Sequence, residues 1–253
     1  MTIKFVTLNL WLGGKLFDDI LQFLKQQDAD IVVLQEAYNG EDSALERRFR
    51  SMQVLQQELD YPYQDFVADY RDFDHTDGKA QRGNAILSKF PIIARDALFF
   101  AEPYNETYRD VPGNFEHCPR DLQHVTLQTP AGGVNVYNIQ GVWDMNGDNY
   151  SPQRRRMAEL IVDTVKGRPN VILAGDTNAK QTNQAIADIE KSLKSVFGRD
   201  LPTTFNMRHK DNPGYATAAV DGIFVSPGIK VLKRTCHDDN LSDHLALSAE
   251  LQV

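Results

Sequence analysis

The sequence predicts an α/β fold in which two mixed β-sheets pack face to face with helices on the outside. The main observation is a strand, helix and strand pattern that occurs twice along the chain. Its segments span residues 3–10, 15–27 and 31–36, and then residues 134–140, 152–166 and 171–176. Further apolar stretches follow each unit and suit antiparallel pairing. Parallel strands that continue into antiparallel ones predict two mixed sheets.

The first unit begins with a strand at residues 3–10, where apolar and polar side chains alternate as in a half-buried strand. This strand finishes at Asn9. After the predicted helix, residues 31–34 form a continuous apolar run that finishes just before Glu36. Both strands therefore deliver polar side chains at their carboxyl ends, where open α/β sheets place their chemistry.

The helix of the second unit has clear boundary signals. Ser151 is a suitable N-cap, Pro152 suits the first helical position, and Gly167 is a suitable stop. The strand that follows is a short apolar run, so this unit repeats the order of the first.

Asp176 and Asn178 follow that strand, side by side at its carboxyl end. A carboxylate next to a neutral amide suits the attack of water on a phosphate. The segment also fits a turn in which Asp176 and Asn178 bond their own backbone. Other acids and one histidine lie at further predicted strand ends, which favours a site over an isolated turn. They are Glu36, Asp221, Asp243 and His244.

The remaining strands are predicted to form antiparallel pairs. They span residues 84–88 and 92–100, joined through 89–91, and residues 220–225, 229–236 and 245–252, with a turn at 226–228.

Two stretches, residues 69–82 and 101–120, are rich in charge or proline and are predicted as loops that rim a substrate cleft. The candidate substrate contacts in the second loop are Tyr104, Tyr108, Phe115 and Arg120.

Six short segments occur in the order typical of a known family. They are Thr7–Trp11, Val33–Glu36, Gly83–Ser88, Gly175–Asn178, Val220–Ile223 and Ser242–His244. With them the chain resembles the endonuclease/exonuclease/phosphatase superfamily of metal-dependent phosphoesterases, which includes deoxyribonuclease I, exonuclease III and the neutral sphingomyelinases. The resemblance extends over nearly the whole chain. It implies a four-layered α/β sandwich, formed by residues 1–253 as a single domain.

A divalent cation, Mg²⁺ or Mn²⁺, is the cofactor that this resemblance implies. Glu36 is the expected metal ligand, because a single carboxylate at a strand end suits Mg²⁺, which keeps several waters. The family implies that Asn9 either holds Glu36 or binds the metal through its carbonyl oxygen. Asp243 is an additional candidate for a metal contact.

Four residues are assigned to the reaction. Asp176 is expected to orient or deprotonate the attacking water, and Asn178 to donate its amide to a phosphate oxygen. His244 is expected to place a charge-assisted donor on the opposite side of the phosphate. Asp221 then accepts from the other ring nitrogen and raises the basicity of the imidazole, which is the arrangement that the family uses.

Gln140 departs from the pattern of part of the family. Members that resemble deoxyribonuclease I and the sphingomyelinases have a histidine at this position, after Asn138. A glutamine can donate one hydrogen bond to a phosphate, but it cannot carry charge or give up a proton. Members that resemble exonuclease III also lack this histidine, so activity is compatible with Gln140.

Charge favours a small phosphorylated substrate over long nucleic acid. The net charge is −8 and the pI is about 5.2, whereas a protein that grips a duplex normally has a basic face. The runs Arg154–Arg156 and Arg47–Arg50 lie in helical patterns and are expected on solvated helix faces.

The sequence has no signal-peptide pattern and no apolar stretch long enough to span a bilayer. Cys118 and Cys236 suggest neither a disulfide framework nor a metal site. We therefore expect a soluble, cytoplasmic and monomeric protein.

Two functions follow from these residues. The first is a metal-dependent hydrolase of a phosphodiester or a phosphomonoester. The second is a non-catalytic phosphate-binding protein of the same fold that lost activity through Gln140. Retention of Asp176 favours the enzyme, because binding alone needs no acid that activates water.

Overall fold

The computed structural model describes residues 1–253, which form twelve strands and five α-helices. The strands are β1 (Thr2–Asn9), β2 (Ile31–Gly40), β3 (Tyr63–Asp72), β4 (Ala80–Ser88), β5 (Ile92–Phe99), β6 (Asp121–Thr129), β7 (Gly132–Gln140), β8 (Val171–Asp176), β9 (Lys194–Ser195), β10 (Asp221–Val225), β11 (Lys230–Cys236) and β12 (Leu247–Gln252). The α-helices are α1 (Phe17–Gln27), α2 (Ser51–Glu58), α3 (Phe73–Thr76), α4 (Pro152–Val165) and α5 (Gln184–Ile189). Short 3₁₀ turns lie at Arg47–Arg50, Phe115–His117 and Pro213–Thr217.

The strands form two six-stranded mixed sheets, as the sequence predicted. The first has the order β11-β12-β1-β2-β4-β3, and the second has the order β5-β6-β7-β8-β10-β9. In each sheet the two strands of the β-α-β unit are parallel, β1 with β2 and β7 with β8, and their other neighbours are antiparallel.

Three apolar cores separate the four layers of the sandwich. One lies between the first sheet and helices α1 and α2, one between the two sheets, and one between the second sheet and helices α4 and α5. Strand β1 serves two of these cores, because Val6 and Leu8 face the helices whereas Ile3 and Phe5 face the other sheet. Within the predicted residues 3–10 only Lys4 is exposed, so the half-buried prediction is correct at that residue alone.

Buried amides join the two sheets below the carboxyl ends of their strands. The Asn138 Nδ2 group of β7 donates to the Leu34 and Ala85 carbonyl oxygens of the first sheet, at 2.9 and 3.0 Å. Gln35 Nε2 of β2 donates to Asn138 Oδ1 at 2.6 Å. All of these side-chain groups are buried. Because hydrogen bonds are directional, these bonds fix the relative position of the two sheets more strictly than apolar contacts alone would.

Two predicted hairpins are wrong. Strands β4 and β5, joined at residues 89–91, belong to different sheets, and so do β10 and β11, joined at residues 226–228. Both links are crossings from one sheet to the other. A short turn after an apolar strand can form either a hairpin or a crossing between sheets. At the first link, Phe90 packs against the core between the sheets. The predicted pairing of β11 with β12 is confirmed.

The predicted loop at residues 69–82 is wrong as well. Residues 101–120 are irregular apart from one 3₁₀ turn and an isolated β-bridge between Asn105 and Tyr70. The first stretch contains the end of β3, helix α3 and the start of β4. Its charged residues make contacts within the protein. Asp69 pairs with Arg82, and the Asp72 carboxylate caps α3 by accepting from two backbone N–H groups.

Helix α4 begins and ends as predicted. The Ser151 hydroxyl accepts from the Arg154 N–H at the N-terminus, Pro152 is in the first turn, and Gly167 has a positive φ just beyond the end. At 14 residues it is the longest helix. Neither it nor any other helix is long and apolar enough to cross a membrane.

Candidate active site

The predicted site residues converge at one edge of the sandwich because both parallel strand pairs end there. Strand register places Gln140 beside Asp176, and Asp176 beside Asp221. A cleft of about 750 Å³ opens at this edge. Six of the eight predicted residues line it, namely Glu36, Gln140, Asp176, Asn178, Asp243 and His244. The other two, Asn9 and Asp221, are buried beside them.

Asn9 links the two acidic strand ends. Its Nδ2 group donates to Glu36 Oε1 and to Asp176 Oδ2, both at 3.2 Å. Its side-chain oxygen Oδ1 accepts from the Trp11 N–H at 3.0 Å. The side chain of Asn9 therefore holds Glu36 and Asp176 in place, and its carbonyl oxygen is engaged by the backbone.

Glu36 is held in a strained backbone conformation with φ 59°, where the pairing of β2 with β4 shifts register. Its carboxylate accepts from the Leu12 N–H at 2.9 Å and pairs with Arg82 at 3.0 Å. Burial opposes this charge, but Arg82 and the Leu12 N–H outweigh burial and lower the pKa of Glu36 to about 2. Glu36 is therefore an anion at neutral pH.

Arg82 is a site residue that the sequence analysis missed. It is buried and bridges Glu36 to Asp69, which it contacts at 3.2 Å. The buried Asp121 lies next to Asp69, and burial together with Asp69 raises the pKa of Asp121 well above its usual value. The sequence carried no signal for it, because the neighbouring Gln81 and Asn84 of β4 are polar as well.

Asp176 and Asn178 form both the turn and the site that the sequence left as alternatives. The Asn178 N–H donates to Asp176 Oδ1 at 2.8 Å, with Asn178 at φ 51°. The Asn178 amide donates one bond to the Gly141 carbonyl at 3.0 Å. Burial, together with the nearby Asp221, raises the pKa of Asp176 to about 6 although His244 opposes the shift. Such a carboxylate is a suitable proton acceptor near neutral pH.

His244 and Asp221 form a buried pair with 2.9 Å between Nδ1 and Oδ2. Because a carboxylate only accepts, the Nδ1 atom carries the proton. Burial alone would lower the pKa of His244, but Asp221 raises it to about 10. Phe205 packs against the ring with 4.7 Å between ring centres. His244 is therefore a fixed cation that faces the cleft.

Gln140 has one free polar atom. Its Nε2 group donates to Glu36 Oε1 at 3.1 Å, whereas its buried Oε1 atom has no hydrogen-bond partner. The predicted donation to a phosphate must therefore use the second N–H of the amide. A buried oxygen without a donor calls for a ligand at this point.

The donor set fits an oxygen-preferring divalent cation. Asp176, Asp221 and His244 place ligand atoms within 4.8 Å of one another, but a protonated imidazole binds no metal. The oxygens of Glu36, Asp176 and Gln140 remain, and carboxylate and amide oxygens suit Mg²⁺ or Mn²⁺. Burial is the main cause of the raised pKa of Asp176, with Asp221 adding to it, so a cation bound here would favour the charged carboxylate.

Asp243 is buried and lines the cleft. Its carboxylate pairs with Lys210 at 2.5 Å, so the predicted metal contact would have to compete with that ion pair. Lys210 was not among the predicted residues, and it also lines the cleft.

Arg120 is the one predicted loop contact with an open charged group. Its guanidinium lines the cleft, makes no hydrogen bond within the protein, and has Nε and Nη1 buried. Phe115 also lines the cleft. Tyr108 is instead buried against Tyr70, and Tyr104 accepts a hydrogen bond from Gln81 at 3.0 Å. The guanidinium of Arg120, which has no partner within the protein, is suited to bind a phosphate in the cleft.

Arg154 corrects the prediction that the whole arginine run lies on a solvated face. Arg155 and Arg156 are exposed, but Arg154 is buried. It donates to the carbonyl oxygens of Gly147 and Asn149 at 3.0 and 2.9 Å and to that of Asn178. This side chain ties the loop after β8 to the loop after β7.

Two mixed sheets with buried acids, a cationic imidazole and a free arginine at one strand edge are the features of a phosphoesterase, a class of hydrolases. The model of the endonuclease/exonuclease/phosphatase family matches residues 6–244, and the chain belongs to that family.

Solved structures of low sequence identity share the fold. An endonuclease/exonuclease/phosphatase from Beutenbergia cavernae DSM 12333 is 18% identical, with a TM-score of 0.75 over 100% of this chain and 72% of that chain. A mannosyl-6-phosphatase from Bacteroides thetaiotaomicron VPI-5482 is 21% identical, with a TM-score of 0.71 over 99% and 100%. The human Nocturnin catalytic domain with a bound sulfate anion is 16% identical, with a TM-score of 0.72 over 99% and 94%. No curated protein matches the chain significantly.

Proposed function

We propose that the protein hydrolyses a phosphate ester in this cleft by direct attack of water. The observation that carries the proposal is the buried group of Asp176, Asp221 and His244, whose ligand atoms lie within 4.8 Å of one another. Asp176 and His244 line the cleft. The group combines a carboxylate that can accept a proton near neutral pH with a fixed cationic donor. A protein that only binds phosphate does not need a carboxylate that accepts a proton.

In the proposed reaction, water attacks phosphorus and gives its proton to Asp176, and the ester P–O bond breaks. Arg120 and His244 hold the phosphoryl oxygens as negative charge develops. The second N–H of Asn178 is available for the same purpose. Gln140 holds Glu36 and cannot protonate the leaving alkoxide, so that proton comes from His244 or from water.

A divalent cation, Mg²⁺ or Mn²⁺, is the proposed cofactor, which Glu36 would hold with the free Gln140 oxygen beside it. When bound, it neutralises phosphoryl charge and supplies Lewis acidity. Asn9 and Arg82 then serve to orient the Glu36 carboxylate.

A small phosphorylated molecule is the proposed substrate class, with nucleic acid as the alternative. Asp110, Asp144 and Asp148 line the cleft as well, and the net charge is −8. These acids disfavour a chain of further phosphates. A cytoplasmic location, a single domain and a monomeric state stay predictions.

The test is a hydrolysis screen with Mg²⁺ and Mn²⁺ over nucleotides, sugar phosphates, lysophospholipids, RNA and DNA. Asp176→Asn should reduce turnover by about a hundredfold or more, the usual effect of losing a general base, and chelator should abolish it. Asp163→Asn, on the far side of α4 from the cleft residues, is the control. Phosphate binding without turnover of any ester would instead support the non-catalytic alternative.

A further inference from the structure

An aromatic corner stands on one wall of the cleft. Trp143, from the loop after β7, and Phe115, from the irregular stretch before β6, meet with ring centres 5.8 Å apart and an interplanar angle of 80°. Both rings line the cleft, as does Met145. Trp143 is 37% exposed and Met145 is 54% exposed. The corner therefore presents apolar surface to solvent directly beside the catalytic groups.

The loop that carries Trp143 is fixed rather than loosely attached. The buried Arg154 donates to the carbonyl oxygens of Gly147 and Asn149. Asn183 Nδ2 donates to the Asp148 carbonyl at 3.0 Å from the opposite side. A held loop keeps the exposed ring in one place, which is the arrangement that a binding contact requires.

The shape of the corner selects among small phosphate esters. Two aromatic surfaces at about a right angle accept a flat ring, which stacks on one surface while its edge meets the other. Met145 adds a polarisable side chain that suits aromatic contact. Asp110 and Asp144 also line the cleft and would repel a second anionic group, so the moiety beside the phosphate must be neutral.

We propose that the substrate is a phosphate ester whose alcohol carries a planar aromatic ring, a nucleobase or an aryl group, held by Trp143 and Phe115. The phosphate then lies at Arg120 and His244. This inference rests on the proposed function for the position of the phosphate, but binding of the ring does not require turnover.

Binding is measured by calorimetry with the Asp176→Asn variant, in which turnover is expected to be about a hundredfold slower or more, in the presence of Mg²⁺. The ligands are AMP, phenyl phosphate, ribose 5-phosphate and mannose 6-phosphate. Stacking on one aromatic side chain changes affinity by about fivefold to 150-fold, the equivalent of ~1–3 kcal/mol. AMP or phenyl phosphate should therefore bind at least fivefold more tightly than both sugar phosphates, and the tighter of the two identifies the ring. Equal affinity for ring and sugar ligands would overturn the inference.

Substitutions at the corner locate the contact. Trp143→Ala should remove the preference for ring ligands while affinity for ribose 5-phosphate remains. Trp143→Phe should keep most of the preference for ring ligands. Leu232→Ala, at a residue 53% exposed on the other sheet, is the matched control. Trp11 and Trp143 are the two tryptophans, so fluorescence of a Trp11→Phe variant reports on Trp143 alone and should be quenched by AMP. An unchanged preference in Trp143→Ala would place the ring elsewhere.

These outcomes separate the two proposals. Preferential binding of ring ligands without hydrolysis of any ester would retain the inference and reject the hydrolase. Hydrolysis without a preference for ring ligands would retain the hydrolase and reject the inference.

Discussion

Two carboxylates at the same edge of the sandwich, Glu36 and Asp176, have pKa values shifted in opposite directions because their neighbours differ. Arg82 and a backbone N–H keep the pKa of Glu36 at about 2 in spite of burial. Asp176 is more deeply buried and has Asp221 beside it, and its pKa is raised to about 6. One group therefore stays charged to hold a cation, and the other exchanges a proton near neutral pH. Pairs of acids with separated pKa values commonly divide the roles of a site in this way.

These shifts predict a bell-shaped dependence of kcat/KM on pH. Activity should be lost as pH falls through about 6, because Asp176 becomes protonated, and lost again as pH rises through about 10, because His244 loses its proton. In Asp221→Asn the alkaline limb should move to lower pH, since the main cause of the raised His244 pKa is gone. A pH–rate profile of both proteins measures this. An alkaline limb that does not move would assign it to another group.

Arg120 should account for a large part of phosphate recognition. Arg120→Met removes an open guanidinium beside the phosphoryl group and is expected to lower kcat/KM by about a hundredfold, the lower end of the effect of one positioned donor. Arg120→Lys should recover part of the loss, because it restores charge without the fork geometry. Steady-state kinetics check this, with the exposed Arg156→Met as control. A loss equal to that of the control would remove Arg120 from the site.

At the scale of elements, helix α4 stabilises the catalytic loop through Arg154. Arg154→Met leaves several loop carbonyl oxygens without a donor, which should lower the free energy of unfolding by about 2–4 kcal/mol. Activity should fall too, because Arg154 holds the Asn178 carbonyl. Urea denaturation and kinetics measure the two effects, again against Arg156→Met. A variant as stable as the control would mean that water replaces these bonds at little cost.

The sequence predicted the elements that have strong periodicity and missed those that depend on their partners. Both β-α-β units and the strand-end residues are in place. The sheet to which β5 and β11 belong was not predictable, because a three-residue link serves a hairpin and a crossing equally well. Arg154 was predictable in principle, since it lies three and four positions before the buried Met157 and Ala158. Arg82 and Arg120 could not be separated from surface arginines without their buried surroundings.

At the scale of the whole molecule, charge sets what approaches the cleft. With a net charge of −8 and acids around the opening, the protein should bind long duplex DNA weakly, through no more than about three phosphates. The slope of log K against log salt should then be shallower than about −3. Fluorescence anisotropy with a labelled duplex at several salt concentrations measures it. A steeper slope would indicate a basic track along the surface.

The buried amides between the sheets also determine at which stage of folding the protein becomes catalytically active. Two central pairs join the two sheets, Asn9 with Asp176 and Glu36 with Gln140, and His244, just before β12 of the first sheet, pairs with Asp221 of the second. Either half of the chain alone carries an incomplete set, so catalysis begins only once the halves have docked in register. The rate at which activity recovers during refolding therefore reports the rate at which the two halves dock. Activity should appear later than the secondary structure of each half.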